Sequence, residues 1–133
     1  MTHTETVQSI YAAFGRGDVN AILGKVSDHV DWDNSRVASR VCPWNGNFSG
    51  KANLPGFFTA VADHLDMPVF NPHTFVASGS HVAVVLRIEG RIKKTGKPIV
   101  NDVIHLWTFG ADGKVTAYRH FNDTAMELAA WNG

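Results

Sequence analysis

The chain has 133 residues, 44% of them hydrophobic and 18% charged, with 12 Lys and Arg against 12 Asp and Glu. A chain of this length buries roughly two thirds of the surface it exposes when unfolded, enough for one domain over 1–133 with a core and a pocket. Zero net charge excludes the electrostatic footprint of nonspecific nucleic-acid or polybasic membrane binding. The absence of a bilayer-length apolar run and of a secretory signal in Met1 to Thr6 points to a cytoplasmic protein with no membrane partner.

Val7, Ile10, Tyr11 and Phe14 fall at helical spacing over Thr6–Phe14, and Gly15 and Gly17 stop that helix. Asp18 stands at an N-cap position ahead of Val19, Ile22, Leu23 and Val26, so a second short helix follows. Val30 to Asp33 alternates apolar and polar as a short strand does. Asn34 to Gly50 has no clean period and carries Pro43, Asn45, Gly46 and Asn47, the composition of a long loop. Its aromatics, Trp44 and Phe48, suit a lid as well as an ordinary packed loop. Cys42, the single cysteine, has no internal disulfide partner and suits a packing role.

Leu54, Phe57, Phe58, Val61 and Leu65 form a helical stripe over Asn53–Leu65, with Pro55 in the first turn. Beyond Met67 the chain is rich in Val, Ile, Phe, Trp and Thr, and the spacing predicts strands over Phe70–Ala77, His81–Lys93, Lys97–Phe109 and Lys114–Phe121. Turn signals at Ser78-Gly79-Ser80, Lys94 to Lys97 and Gly110 to Gly113 separate them, which is an antiparallel meander. A last helix runs from its cap Asp123 through Met126 and Ala130 to Trp131.

Helices followed by consecutive antiparallel strands define an α+β fold with the helices on one face of the sheet. Parity across the Gly110–Gly113 turn puts Asn101, Val103, His105, Trp107 and Phe109 on one face with Thr116, Tyr118, His120 and Asn122. Ile104, Leu106, Val115, Ala117 and Phe121 take the other. Both faces carry apolar residues, and the helices cover only one of them, so the outer face is expected to bury against a second copy of the chain as a homodimer.

Val7 to Val19 together with Ser27-Asp28-His29-Val30-Asp31-Trp32 resembles the opening of SnoaL-like proteins. These belong to the nuclear transport factor 2-like superfamily, with ketosteroid isomerase, scytalone dehydratase and limonene epoxide hydrolase. The likeness continues in Phe48-Ser49-Gly50-Lys51, His105-Leu106-Trp107-Thr108-Phe109, Asp112-Gly113-Lys114-Val115 and Phe121-Asn122-Asp123-Thr124-Ala125. It implies a single SnoaL-like domain over 1–133, a cone-shaped curved antiparallel sheet wrapped by the N-terminal helices, of the cystatin-like α+β barrel type. The open end of such a cone holds a small apolar molecule. Chemistry on this fold, polyketide cyclase-like or isomerase-like, uses residues that differ between branches.

Counted from Gly17-Asp18, the oxyanion-hole tyrosine of the isomerase falls on Ile10 and its general-base aspartate on Asn34, so both functional groups are missing. The position of its protonated acid holds His105. The same counting turns Trp32, Asn34, Tyr118, His120 and Asn122 toward the cavity, although periodicity alone favours the more apolar face of Val115, Ala117 and Phe121. Three polar side chains beside Trp107 suit a cavity with a few convergent hydrogen-bonding groups.

His105 and His120, on neighbouring strands, would lie within roughly 5 to 8 Å at Cβ, and a neutral imidazole serves as base or donor. The functional reading is an acid–base pair acting on a carbonyl, hydroxyl or epoxide compound, with Tyr118 and Asn122 orienting it. The bland reading is a set of satisfied interior polar groups. Asp33 and Asp102 point away by strand parity and read as rim or interface groups, Asp31 as a strand-edge charge, and Arg87, Glu89 and Arg91 as an ion-pair ladder. His29, His64, His73 and His81 lack metal-ligand spacing, and phosphate loop, nucleophile elbow and dinucleotide fingerprint are all missing, so neither metal nor cofactor is expected.

The sequence therefore supports a SnoaL-like enzyme, an isomerase, cyclase, dehydratase or hydrolase, on a small apolar or aromatic ligand. His105 and His120 would move protons, and Trp32, Asn34, Trp44, Phe57, Trp107, Tyr118 and Asn122 would bind substrate. Loss of the isomerase's tyrosine and aspartate keeps a second reading open, a non-catalytic ligand-binding or dimerisation module of the same fold.

Overall fold

A computed structural model describes residues 1–35 and 41–133. The elements run α1 (His3–Gly15), α2 (Val19–Leu23), β1 (Val26–Asn34), β2 (Gly46–Asn47), α3 (Leu54–His64), β3 (Leu65–Ser78), β4 (His81–Ile92), β5 (Pro98–Phe109), β6 (Val115–Phe121) and α4 (Thr124–Asn132). The six strands form one curved, unclosed sheet in the order β2-β1-β6-β5-β4-β3. The predicted meander is present as three antiparallel pairings, and β1 joins it by running parallel to β6. Among the described residues no helix is long and apolar enough to cross a membrane.

Local chemistry explains the element ends. α1 starts earlier than the apolar spacing suggests because Thr2 and Glu5 form a capping box: Thr2 Oγ1 accepts from the Glu5 amide at 3.1 Å, and Glu5 Oε1 accepts from the Thr2 amide at 2.8 Å. Asp18 and Asp123 cap α2 and α4 as expected, accepting from the amides of Ala21 and Met126. β3 follows α3 without a loop and is an edge strand. Its register shifts between Asp66 and Val69, where Pro68, which has no amide hydrogen to give a ladder, is accommodated. Gly90 of β4 allows the close crossing there, since a Cβ on it would stand 2.1 Å from the Asp66 carbonyl oxygen.

The core lies between the concave sheet face and α1 and α3: Val7, Ile10, Leu54, Phe57 and Val61 from the helices meet Val82, Val84, Leu86, Val103 and Trp107 from the sheet. Tyr118 is 3% exposed and Phe121 53% exposed, so the resemblance chose the inward face of β6 correctly and periodicity did not. One residue departs from the expected parity. The β5–β6 register shifts after Thr108, so Phe109 pairs with Val115, and Val115 is buried on the inner face instead of lying on the outer one.

Asp33 is buried and not on a rim. Cys42 is fully buried, which fits the packing reading, and burial pushes its thiol up to about 12. The expected Asn34–Gly50 loop contains β2, whose Asn47 and Gly46 pair with Asp33 and Asn34. The choice between lid and packed loop involves residues 36–40, which lie outside the described residues.

Candidate functional site

Strand register assembles the site in two rungs. Asn34, His120 and His105 pair across β1, β6 and β5; two residues away Trp32, Tyr118 and Trp107 do the same. Side chains two apart share a face, so all six project into the concavity. Phe57 and Phe58 of α3 and Tyr11 and Phe14 of α1 close it from the helical side.

The result is a cavity of about 90 Å³, lined by all nine residues expected from the sequence: Trp32, Asn34, Trp44, Phe57, His105, Trp107, Tyr118, His120 and Asn122. Trp32 stacks on Tyr118 with ring centroids 4.0 Å apart and meets Trp107 edge-on at 5.7 Å. Trp44 meets Trp131 of α4 edge-on at 5.6 Å. A wider groove of about 670 Å³ beside α1, α2 and α3 adjoins the cavity and shares Tyr11, Phe14, Phe58 and Phe70 with it.

The polar groups form one connected line. Trp107 Nε1 donates to the Tyr11 hydroxyl at 3.1 Å, that hydroxyl meets His105 Nδ1 at 2.8 Å, and His105 Nε2 meets His120 Nδ1 at 2.9 Å. Tyr118 donates to Asn34 Oδ1 at 3.1 Å and has a longer contact of 3.4 Å with His120 Nδ1. Asn34 Nδ2 donates to Asn45 Oδ1 at 2.9 Å, Asn45 Nδ2 to Glu127 Oε1, and Asn122 Nδ2 to Glu127 Oε2 at 2.9 Å. Glu127 thus ties α4 to the cavity wall.

Burial sets the protonation states. It holds His120 down to about 4, and it holds His105 well below its ordinary range, with the neighbouring His120 adding to the effect. Burial raises Tyr11, partly offset by the Trp107 donor, and raises Tyr118, with Tyr11 adding to it. Both imidazoles and both phenols are therefore neutral near pH 7.

Among the described residues two buried polar atoms have no partner, the indole Nε1 of Trp32 and Oδ1 of Asn122, and both residues line the cavity. A buried donor and acceptor left unpaired call for a bound molecule or water. Among the described residues no three His, Cys, Asp or Glu side chains are grouped to hold a metal ion.

Outside the cavity, Arg87 pairs with Glu89 at 3.2 Å and with Asp102 at 3.5 Å, Arg91 with Asp66 at 3.3 Å, and Arg119 with Asp31 at 2.6 Å. Arg87 and Glu89 thus form part of the expected ladder and Asp102 is exposed as a rim group, whereas Arg91 pairs with Asp66 of β3 and Asp31 is held by Arg119 of β6 instead of standing as a strand-edge charge.

Three cavity-network residues escaped sequence reasoning: Tyr11, Asn45 and Glu127. Tyr11 belongs to the inward stripe of α1, one residue past the Ile10 on which the isomerase tyrosine falls, so its hydroxyl was legible as a polar end on a buried face. Asn45 and Glu127 are 82 residues apart and meet only when α4 docks, which no local pattern signals.

A family model for the SnoaL-like domain matches residues 7–118. Among solved structures, the chain is similar to an NTF2-like protein of unknown function from Burkholderia pseudomallei K96243, at 22% identity over 100% of both chains and TM-score 0.87. It is similar to an NTF2-like protein from Burkholderia xenovorans LB400, at 27% identity over 96% of this chain and 94% of that one, with TM-score 0.86. It is also similar to TerC, co-crystallised with polyporic acid, at 25% identity over 98% of both chains and TM-score 0.84. No curated protein matches the chain significantly.

Proposed function

The chain belongs to the SnoaL-like domain family, and from that premise we propose that it is an isomerase- or lyase-type enzyme, working without a cofactor by acid–base chemistry on a small apolar or aromatic compound. The observation that carries this reading is the His105–His120 pair: two neutral imidazoles bonded to each other in an aromatic-walled cavity. His120 Nε2 meets the substrate and gives or takes its proton, with His105 behind it. A neutral imidazole near pH 7 suits either task.

Recognition follows from the walls. Trp32, Trp44, Phe57 and Trp107 shape the chamber and exclude water, Tyr118 and Asn34 orient His120, and the unpaired Trp32 N–H and Asn122 Oδ1 take an acceptor oxygen and a hydroxyl of the substrate. The adjoining groove is the route of entry. TerC, with its co-crystallised polyporic acid, supports a ligand site in a chain of this fold.

The reading extends to assembly and place. The outer sheet face, with Ile104 44% exposed beside Phe121, buries against a second copy in a homodimer, and the protein works in the cytoplasm. The catalytic claim is tested by His105→Ala and His120→Ala, each expected to lower turnover by roughly two to four orders of magnitude with the fold kept. Turnover unchanged in both would end it.

A further inference from the structure

We propose that Tyr11, His105 and His120 form a single proton relay with a reactive atom at each end, so that the reaction is a proton transposition, taking a proton from one position of the substrate and returning one at another. This rests on the acid–base reading of the cavity and adds Tyr11 as its second chemical end.

The hydrogen-bond directions follow from what each group can do. An indole N–H only donates, so at 3.1 Å the Tyr11 oxygen is the acceptor from Trp107. The hydroxyl hydrogen of Tyr11 then has one partner in the line, His105 Nδ1 at 2.8 Å. That makes His105 an Nε2–H tautomer, which donates to His120 Nδ1 at 2.9 Å. His120 in turn carries its hydrogen on Nε2, for which none of the described residues supplies an acceptor. Both ends, Tyr11 and His120, line the same cavity.

Shifting every hydrogen along by one bond performs the reaction. His120 gives its Nε2 proton to a basic position of the substrate, such as a carbonyl oxygen or an enol carbon. His105 gives its Nε2 proton to His120 Nδ1, Tyr11 gives its hydroxyl proton to His105 Nδ1, and an acidic C–H or O–H of the substrate gives its proton to the Tyr11 oxygen. Four bonds to hydrogen break and four form. The substrate's electron pairs rearrange within it, and no oxidant, reductant or water is consumed. The line is neutral before and after, with both imidazoles in the other tautomer. It resets by running in the opposite direction or by exchange with water.

Charge is the reason for a relay in preference to a lone base. Burial disfavours imidazolium on either ring and phenolate on Tyr11, so a base that kept the proton would hold a charge in an apolar chamber. Passing the proton along keeps every member neutral. The substrate class is then a compound with an acidic C–H or O–H and a basic oxygen or carbon at separate positions, converted to its isomer.

The test needs no substrate. Long-range ¹H–¹⁵N correlation of the histidine imidazoles is recorded on the ¹⁵N-labelled full chain at about pH 7, in the wild type, in Tyr11→Phe, and in His105→Asn with and without Tyr11→Phe. The relay predicts matching tautomers on His105 and His120, and ¹⁵N shifts of both rings that move in Tyr11→Phe, although Tyr11 has no bond to His120. That effect on His120 disappears in the His105→Asn background. Opposite tautomers on the two rings, or a His120 that ignores Tyr11→Phe, would overturn the relay. Should Tyr11→Phe not fold, the wild-type tautomers decide alone, matching ones for the relay and opposite ones against it. The acid–base reading would survive that failure, because it is decided separately by turnover in His105→Ala and His120→Ala.

Discussion

His105 Nε2 lies 2.9 Å from His120 Nδ1, on directly paired positions of β5 and β6. The two rings satisfy each other inside an apolar chamber, and the same burial that suits them for proton transfer makes the fold sensitive to acid.

The sign of that sensitivity is fixed. An unfolded histidine takes up a proton near pH 6.5, whereas folded His120 resists protonation down to about 4 and His105 stays well below its ordinary range. Between those limits the unfolded chain binds protons that the folded chain refuses. The stabilisation is complete above about 6.5 and is lost as pH falls toward the folded values, at a slope approaching about 1.4 kcal/mol per pH unit for each histidine. Urea denaturation from about pH 7 to about pH 5 measures the slope, and His120→Gln is expected to flatten it. A slope unchanged in His120→Gln would show that this ring is not the acid sensor.

Trp32 offers a test of recognition. Its indole N–H is buried without a partner among the described residues, and meeting a ligand oxygen there is worth about 1–3 kcal/mol, since leaving it unmet costs that much. Trp32→Phe is expected to weaken a carbonyl-bearing ligand by that amount while leaving the binding of its deoxygenated analogue little changed. Isothermal titration with the pair of compounds separates the two; equal losses for both would mean that Trp32 acts through shape alone.

Gly90 and Gly56 make opposite predictions about the fold. A Cβ at Gly90 meets backbone of β3 at 2.1 Å, so Gly90→Ala forces two strands apart and is expected to cost about 3 kcal/mol. Gly56, inside α3 with nothing within 4 Å of its added Cβ, should gain about 0.5–1 kcal/mol as Ala. Thermal melts of the two variants check the contrast.

The outer face predicts assembly. Phe121 and Ile104 are exposed beside Leu106 and Ala117 on the convex side of β5 and β6. Light scattering at micromolar concentration is expected to give a dimer mass, and Phe121→Lys a monomer. A wild-type monomer would contradict the proposed homodimer.

Much of this was readable in the chain, for identifiable reasons. The glycine turn at 110–113 and the alternation around it suffice to put His105 and His120 on neighbouring strands and on one face, directly opposite or diagonal, and the register shift after Thr108 makes them directly opposite. Thr2-His3-Thr4-Glu5 carries a capping-box signature that moves the start of α1. The bulge that turns Val115 inward has no such signature, since alternation alone puts Phe109 and Val115 on opposite faces and only the extra residue in β6 brings them into register. The parallel docking of β1 on β6 and the Asn45–Glu127–Asn122 latch depend on tertiary closure. Tyr11 lay between the two cases: helix periodicity buried it, and only His105 and Trp107, more than ninety residues away, give its hydroxyl a role.

The most direct test of the central claim is a thermal-shift titration of the wild type and of the His105→Ala, His120→Ala double variant with small aromatic, terpenoid, steroid and polyketide-like compounds, followed by turnover of whatever binds. A compound at about 100 times its Kd should stabilise the wild type by about 2.7 kcal/mol. The wild type is expected to convert it roughly two to four orders of magnitude faster than the double variant. A compound that binds and is left unchanged by both proteins, or converted equally fast by both, would contradict it.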